Sequence, residues 1–223
     1  MYEDTLETVK RCIESLKDNV DHIFVIDGKF EYFEAERLLS TDEVREYLVS
    51  IPNVILRDAP NLKENEKRQI YFDMCEEYDT EFLLMIDADE YITPDTQWDA
   101  VVTELQDHYV VSQPKILGVK LGKGFYPRMW MNPMFIEYTK THNFWRFKTD
   151  GTLWRSSTDY PPIHGIEIKG DDKLRSKEYI DKSYAYQVKL MKYEKPYKEK
   201  YRLQAENFKP AKELYEFHGV PMV

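Results

Sequence analysis

A chain of 223 residues, 42% of them hydrophobic, is long and apolar enough to bury a sizeable core, as one large domain or one domain with an appendage. Its formal net charge of −10 argues against a nucleic-acid binder, because neutralising phosphates takes a basic face. Cys12 and Cys75 are the only cysteines, which excludes a disulfide scaffold, and they lack partners at zinc-site spacing. They read as buried thiols of a reducing compartment. No apolar run approaches the ~20 residues of a membrane span. The start, Met1-Tyr2-Glu3-Asp4, is acidic where a secretory leader is basic, so the expected location is cytoplasmic.

In chain order, residues 5–18 carry Leu6, Val9, Ile13 and Leu16 at helical spacing, with Thr5 as the cap. The run Ile23-Phe24-Val25-Ile26 closes in Asp27-Gly28 and predicts a buried strand ending in a turn. A second helix is predicted over 33–49, a strand over 53–56, and a third helix over 63–78. The most hydrophobic run, Phe82-Leu83-Leu84-Met85-Ile86, then stops abruptly at Asp87-Ala88-Asp89-Glu90. This alternation predicts an α/β fold, a mostly parallel sheet with helices on both faces. Ligands sit at the carboxyl ends of such strands, and Asp27, Asp87 and Asp89 all fall there. Residues 113–170, with Trp130, Trp145 and Trp154, read as a strand-and-loop layer over the first half. Residues 173–218 read as helical, and 187–212 hold eight Lys or Arg against three Glu.

Two carboxylates at i and i+2 after a buried strand are costly to hold together without a cation. Oxygen ligands of this kind suit Mg²⁺ or Mn²⁺, which keep waters and take up substrate phosphates. An ion so held bridges a diphosphate and offsets the charge that develops as it leaves. The plainer alternative makes Asp87 a helix cap and Asp89 a solvated side chain.

Glu66-Lys67-Arg68-Gln69 opening a helix, followed by the strand that ends in Asp87-Ala88-Asp89-Glu90, resembles the core signature of family 2 glycosyltransferases with the GT-A fold. Ile23–Gly28 resembles that family's second strand. The match spans roughly residues 5–100. The resemblance implies a Rossmann-like GT-A fold with a C-terminal acceptor-side region. Residues 1–110 would be the nucleotide-sugar half, and 111–223 the acceptor-binding and C-terminal helical half of the same domain. It implies Asp27 on the nucleotide base and Lys67 or Arg68 near the diphosphate. Asp87 would meet the ribose or the metal, and Asp89 the metal. UDP is the family's default nucleotide, and inversion its stereochemistry. The chain departs from the family in beginning almost directly in the first helix, where relatives open with a strand and a Pro-x-Tyr-Asn-type loop. A first strand supplied from elsewhere, a nucleotide pocket short of a wall, and a truncated chain are the three readings.

Pro161-Pro162-Ile163-His164-Gly165-Ile166-Glu167 resembles the segment where relatives carry a late His-Glu pair, so His164 either completes the metal shell or contacts the diphosphate, or else is an ordinary loop histidine. His142 reads as structural. An inverting transfer needs a carboxylate to take the acceptor proton, and Asp150, Asp159 and Glu167 are the candidates. Trp130, Trp145 and Trp154 form either an acceptor platform or core. The acceptor is a glycan, a protein or a lipid-linked sugar. For the last, the basic stretch 187–212 either rests on an anionic membrane or is a solvated helix face. A haloacid-dehalogenase-type phosphatase would want Thr where Tyr91 stands, and a nucleotidyltransferase a Gly-rich loop that is absent. The other class that stays open is an inactive glycosyltransferase-like protein that only binds carbohydrate.

Overall fold

A computed structural model describes residues 4–111, 113–140, 144–148, 151, 153–155, 161–170, 185–186 and 189. The elements are α1 (Leu6–Glu14), β1 (Ile23–Asp27), α2 (Asp42–Ser50), β2 (Val54–Asp58), α3 (Glu64–Glu77), β3 (Phe82–Leu84) and β4 (Glu90–Ile92). They continue with α4 (Trp98–His108), β5 (Lys115–Leu121), β6 (Gly124–Met131), β7 (Ile136–Lys140), β8 (Phe144–Phe147), β9 (Leu153–Arg155) and β10 (Pro162–Gly170).

Local chemistry accounts for several of these boundaries. Thr5 caps α1, its hydroxyl accepting from the Thr8 amide at 3.2 Å. The apolar spacing that predicts this helix is the face it buries, with Val9, Cys12, Ile13 and Leu16 all in the core. The helix predicted over 33–49 begins only at Asp42. Ser40 gives its amide to the Asp27 carboxylate at 3.1 Å, so that amide is not available for a helical bond. Thr41 then caps α2 by accepting from the Val44 amide at 3.4 Å.

The fold is mixed α/β, with four helices among the described residues, but the single, mostly parallel sheet expected from the alternation is not formed. β1 and β2 make a two-stranded parallel sheet. A five-stranded mixed sheet runs β3-β6-β5-β10-β4, in which only the β10–β5 pair is parallel. β7-β8-β9 form a third, antiparallel sheet. The cause is the tight turn at Gly122-Lys123, where Gly122 takes φ +60° and joins β5 and β6 as a hairpin. β3 then pairs with the returning strand β6. Residues 115–131 are therefore sheet partners of the first half, rather than a layer laid over it.

α1, α2 and α4 share one hydrophobic cluster with β4, β5 and β10, while α3 packs with β3, β6 and β7. Phe72 and Trp130 centre the second cluster, their rings edge to face at 5.8 Å. No helix of the described residues is long and apolar enough to cross a membrane. Of the predicted helical stretch 173–218, only 185–186 and 189 lie within the described residues.

Candidate functional site

The acidic tetrapeptide after β3 folds into a tight turn. The Glu90 amide donates to Asp87 O at 2.9 Å, and the Asp87 amide donates to Glu90 Oε2 at 2.8 Å. Asp89 and Glu90 become buried, while the Asp87 side chain stays 47% exposed. Two arginines approach it from different elements. Arg128 stands on β6, whose backbone accepts from the Met85 amide at 2.8 Å, which carries its guanidinium to the end of β3. It donates to Glu90 Oε1 at 2.7 Å and to Asp87 Oδ2 at 3.3 Å. Arg68, from the second turn of α3, lies 4.0 Å from Asp87 Oδ1 and donates to Glu64 Oε1 at 3.0 Å.

Electrostatics separate the two acids of this turn. Crowding by protein atoms raises the Asp87 pKa, but Arg128 and Arg68 outweigh that and hold the carboxyl below its ordinary range. Burial, followed by the Asp87 charge, pushes Glu90 up to about 7 despite Arg128. The site thus holds one firmly ionised, accessible carboxylate and one that titrates near neutrality, with two cations around them. Such a cluster can bind a polyanion through its arginines and a hard cation through its oxygens.

The carboxyl end of β1 is built differently. Asp27 is fully buried. Its oxygens accept from Ser40 Oγ at 2.6 Å and Arg45 Nη1 at 2.6 Å, besides the Ser40 amide. Arg45 also bridges to Asp58 at 2.8 Å. Gly28 follows with φ +128°, and a Cβ there would lie 2.8 Å from the Pro60 backbone. Its carbonyl accepts from Lys67 Nζ, which sits 4.5 Å above the Phe30 ring. Burial lowers Lys67 to about 8, against the pull of Asp27.

The other residues singled out from the sequence are dispersed. His164 lies on β10, 70% exposed, with Nδ1 2.9 Å from Glu104 Oε1 of α4. Among the described residues no group of three His, Cys, Asp or Glu side chains is placed to hold a metal, so His164 is not brought to Asp87 and Asp89. Glu167, also on β10, pairs with Lys120 at 3.3 Å. Trp130 is a correction to the platform reading. It is 2% exposed because β6 turns it toward Phe72, and it offers no face for stacking. Trp145 and Trp154 stand opposite each other in the β8–β9 ladder. Asp150, Asp159 and His142 lie outside the described residues. Of the predicted set, then, Arg68 comes to Asp87, Asp89 follows in the same turn as a buried residue, and Lys67 reaches the Gly28 carbonyl next to Asp27 at the neighbouring strand end.

Arg128, Glu64 and Glu90 are site residues that the sequence reading does not single out. Glu90 adjoins the motif, and its neighbour Asp87 is the signal that could have marked it. Arg128 and Glu64 reach the site only through sheet pairing and the helix turn. Comparison with known proteins adds nothing to this geometry: no protein-family model matches the chain, and no curated protein matches it.

Proposed function

We propose that the chain is a GT-A glycosyltransferase, similar to family 2, that moves a sugar from a nucleotide-diphosphate donor to an acceptor hydroxyl with inversion. The observation that carries this reading is the half-exposed Asp87 between Arg68 and Arg128 at the carboxyl end of β3. A diphosphate approaching Asp87 meets two guanidinium forks suited to its oxygens. Asp87 and Asp89 would offer Mg²⁺ or Mn²⁺ oxygen donors only, the accessible Asp87 directly and Asp89 from a buried position. Such an ion, when bound, supplies charge neutralisation on the departing diphosphate.

The protein's own part is positional. Glu90 holds Arg128 toward Asp87, and Glu64 holds Arg68 from the other side. Lys67, at the neighbouring carboxyl end of β1, adds a cation whose pKa burial lowers to about 8. The acceptor proton goes to one of Asp150, Asp159 or Glu167. A UDP-sugar is the default donor, a glycan, protein or lipid-linked sugar the acceptor, and the cytoplasm the compartment.

Calorimetric titration with UDP and GDP, each with and without Mn²⁺, tests the reading. The expected result is metal-dependent binding of one nucleotide, abolished by Asp89→Ala. A folded wild type that binds neither nucleotide sinks it. One observation favours a binding-only relative: the Asp27 carboxylate is fully buried and accepts from Ser40 and Arg45, so the β1 end offers a base no ready carboxylate. Hydrolysis of a bound UDP-sugar in the presence of Mn²⁺ rejects that second reading, and binding without turnover supports it.

A further inference from the structure

One extra residue in β6 sets the geometry of the open end of the five-stranded sheet. Leu117 pairs with Met129 and Gly118 with Pro127, so Arg128 stands between them as a β-bulge. On one side of the bulge, Trp130 is opposite Ile116, and both belong to the cluster on the α3 face of the sheet. Counting back from Trp130 by twos would bring Tyr126 to that face. The bulge shifts the count by one. Tyr126 falls opposite Val119, which belongs to the cluster of α1, α2 and α4, and Phe125 takes the α3 face opposite Lys120. The alternation of the sequence therefore conceals Phe125, and only the register reveals it.

The row that Phe125 opens continues across two more strands. Lys120 of β5 stands opposite Glu167 of β10, and their side chains pair at 3.3 Å. Phe125 also reaches His164 of β10, the rings edge to face with centroids 6.2 Å apart. His164 is fixed by α4, where Glu104 accepts from its amide at 2.7 Å and lies 2.9 Å from Nδ1. This row is on the same face and at the same end of the sheet as Asp87. β3, β5 and β10 run in one direction, and Lys120 and Glu167 lie toward their carboxyl ends. Asp87 is approached by Arg68 from α3, which places it on the α3 face too. Arg128 meets Asp87 at 3.3 Å, and from Arg128 to Phe125 the chain spans at most about 11 Å.

Phe125 is 44% exposed, whereas Trp130, the other ring of β6 on this face, is buried. A ring left open in this way and bordered by Lys120, Glu167 and His164 suits a pyranose, which has an apolar C–H face to lay on an aromatic and hydroxyls around its rim. We infer, on the glycosyl-transfer reading above, that Phe125 is the acceptor platform: a sugar ring of the acceptor stacks on it, with Lys120, Glu167 and His164 meeting its hydroxyls.

The charges around the ring favour a neutral sugar over an ionic ligand. Lys120 is paired with Glu167, and His164 with Glu104, so the row presents hydrogen-bonding groups whose charges largely offset one another. An apolar peptide or acyl chain would have to cover these polar groups without satisfying them, which disfavours it. The platform also bears on the proton acceptor. Of the three carboxylates named for that step, Glu167 is the one among the described residues, and the row sets it beside the ring that Phe125 would carry. Arg128 and Phe125 thus divide one strand between two tasks, with the bulge directing the first to Asp87 and the second to the acceptor.

The test is titration of the whole chain, without nucleotide, with the methyl pyranosides of glucose, galactose, mannose and N-acetylglucosamine, read by amide NMR. At least one is expected to move the amides of Lys120, Phe125 and Glu167 and to leave those of α2 in place. Phe125→Ala should weaken that sugar by about tenfold, and Phe125→Leu, which keeps an apolar side chain but no ring, by a similar factor. Phe125→Trp should bind at least as well as wild type. Val102→Ala, at a comparably exposed apolar residue of α4, should change nothing. If none of the four sugars moves the row, the platform is wrong. If Phe125→Leu binds like wild type, stacking is wrong and the patch takes an apolar partner instead. UDP binding with no sugar on the row sinks the platform alone. Sugar on the row with no UDP binding sinks the transferase reading and keeps Phe125 as the carbohydrate contact of a binding protein.

Discussion

Asp27 and Asp87 each follow an apolar strand at its carboxyl end, and the molecule uses them in opposite ways. Asp27 is sealed, with Ser40 and Arg45 around its oxygens, and it organises the start of α2. Asp87 stays accessible between two arginines that are themselves held by Glu64 and Glu90. The local sequence signal is the same in both cases. What differs is whether the partners of the carboxylate come from the loop and helix that follow it, which close over it, or from the preceding helix and a remote strand, which stand beside it. An acid at a strand end is a ligand group only where its neighbours leave it open.

Substitutions can break this contrast, and the largest effect is expected at the sealed end. Asp27→Ala leaves Arg45 short of a partner and frees Ser40, for a loss of about 3 kcal/mol or more in urea unfolding. A midpoint equal to wild type would show that Asp27 does not hold the loop. Gly28→Ala is next. It places a Cβ against the Pro60 backbone at φ +128°, and a cost of roughly 2 kcal/mol is expected by the same measurement. An unchanged stability would mean that the turn relaxes freely.

At the open end the sharper probe is pH. Glu90 has a folded pKa of about 7 against 4.5 for the ordinary carboxyl, so between these values the native state binds more protons than the unfolded one. Its contribution is complete below pH about 4.5 and is lost as pH rises through about 7. Asp87 shifts downward and titrates below this window. Glu90→Gln should therefore flatten the stability profile across the window by about 1–2 kcal/mol. Parallel profiles for variant and wild type would reject the assignment. The smallest effect on stability belongs to Asp87→Asn, within about 1 kcal/mol, because its pairs are partly solvated. If thermal unfolding shows a loss as large as that of Asp27→Ala, the two strand ends are alike after all.

Much of this molecule is local and was legible in the residues. Thr5 as a cap, the buried face of α1, and the runs at Ile23 and Phe82 follow from periodicity and hydrogen-bonding chemistry that neighbours in sequence provide. The helix expected from residue 33 failed because its competitor, Asp27 on Ser40, lies thirteen positions away. β4 and α4 were not anticipated, since three residues of strand and a helix opening at Trp98 carry weak periodic signals.

The sequence by itself determined the α/β character, the strand ends that carry acids, and the apolar face of α1. Each of these depends on side chains within a turn or two of one another. Only the tertiary structure decided which acid is buried, which arginines reach Asp87, and that Trp130 belongs to the core. It also decided that β1 and β3 face each other across a cleft instead of pairing. These outcomes depend on sheet pairings such as Leu83 with Trp130, and nothing local in a chain encodes such a register.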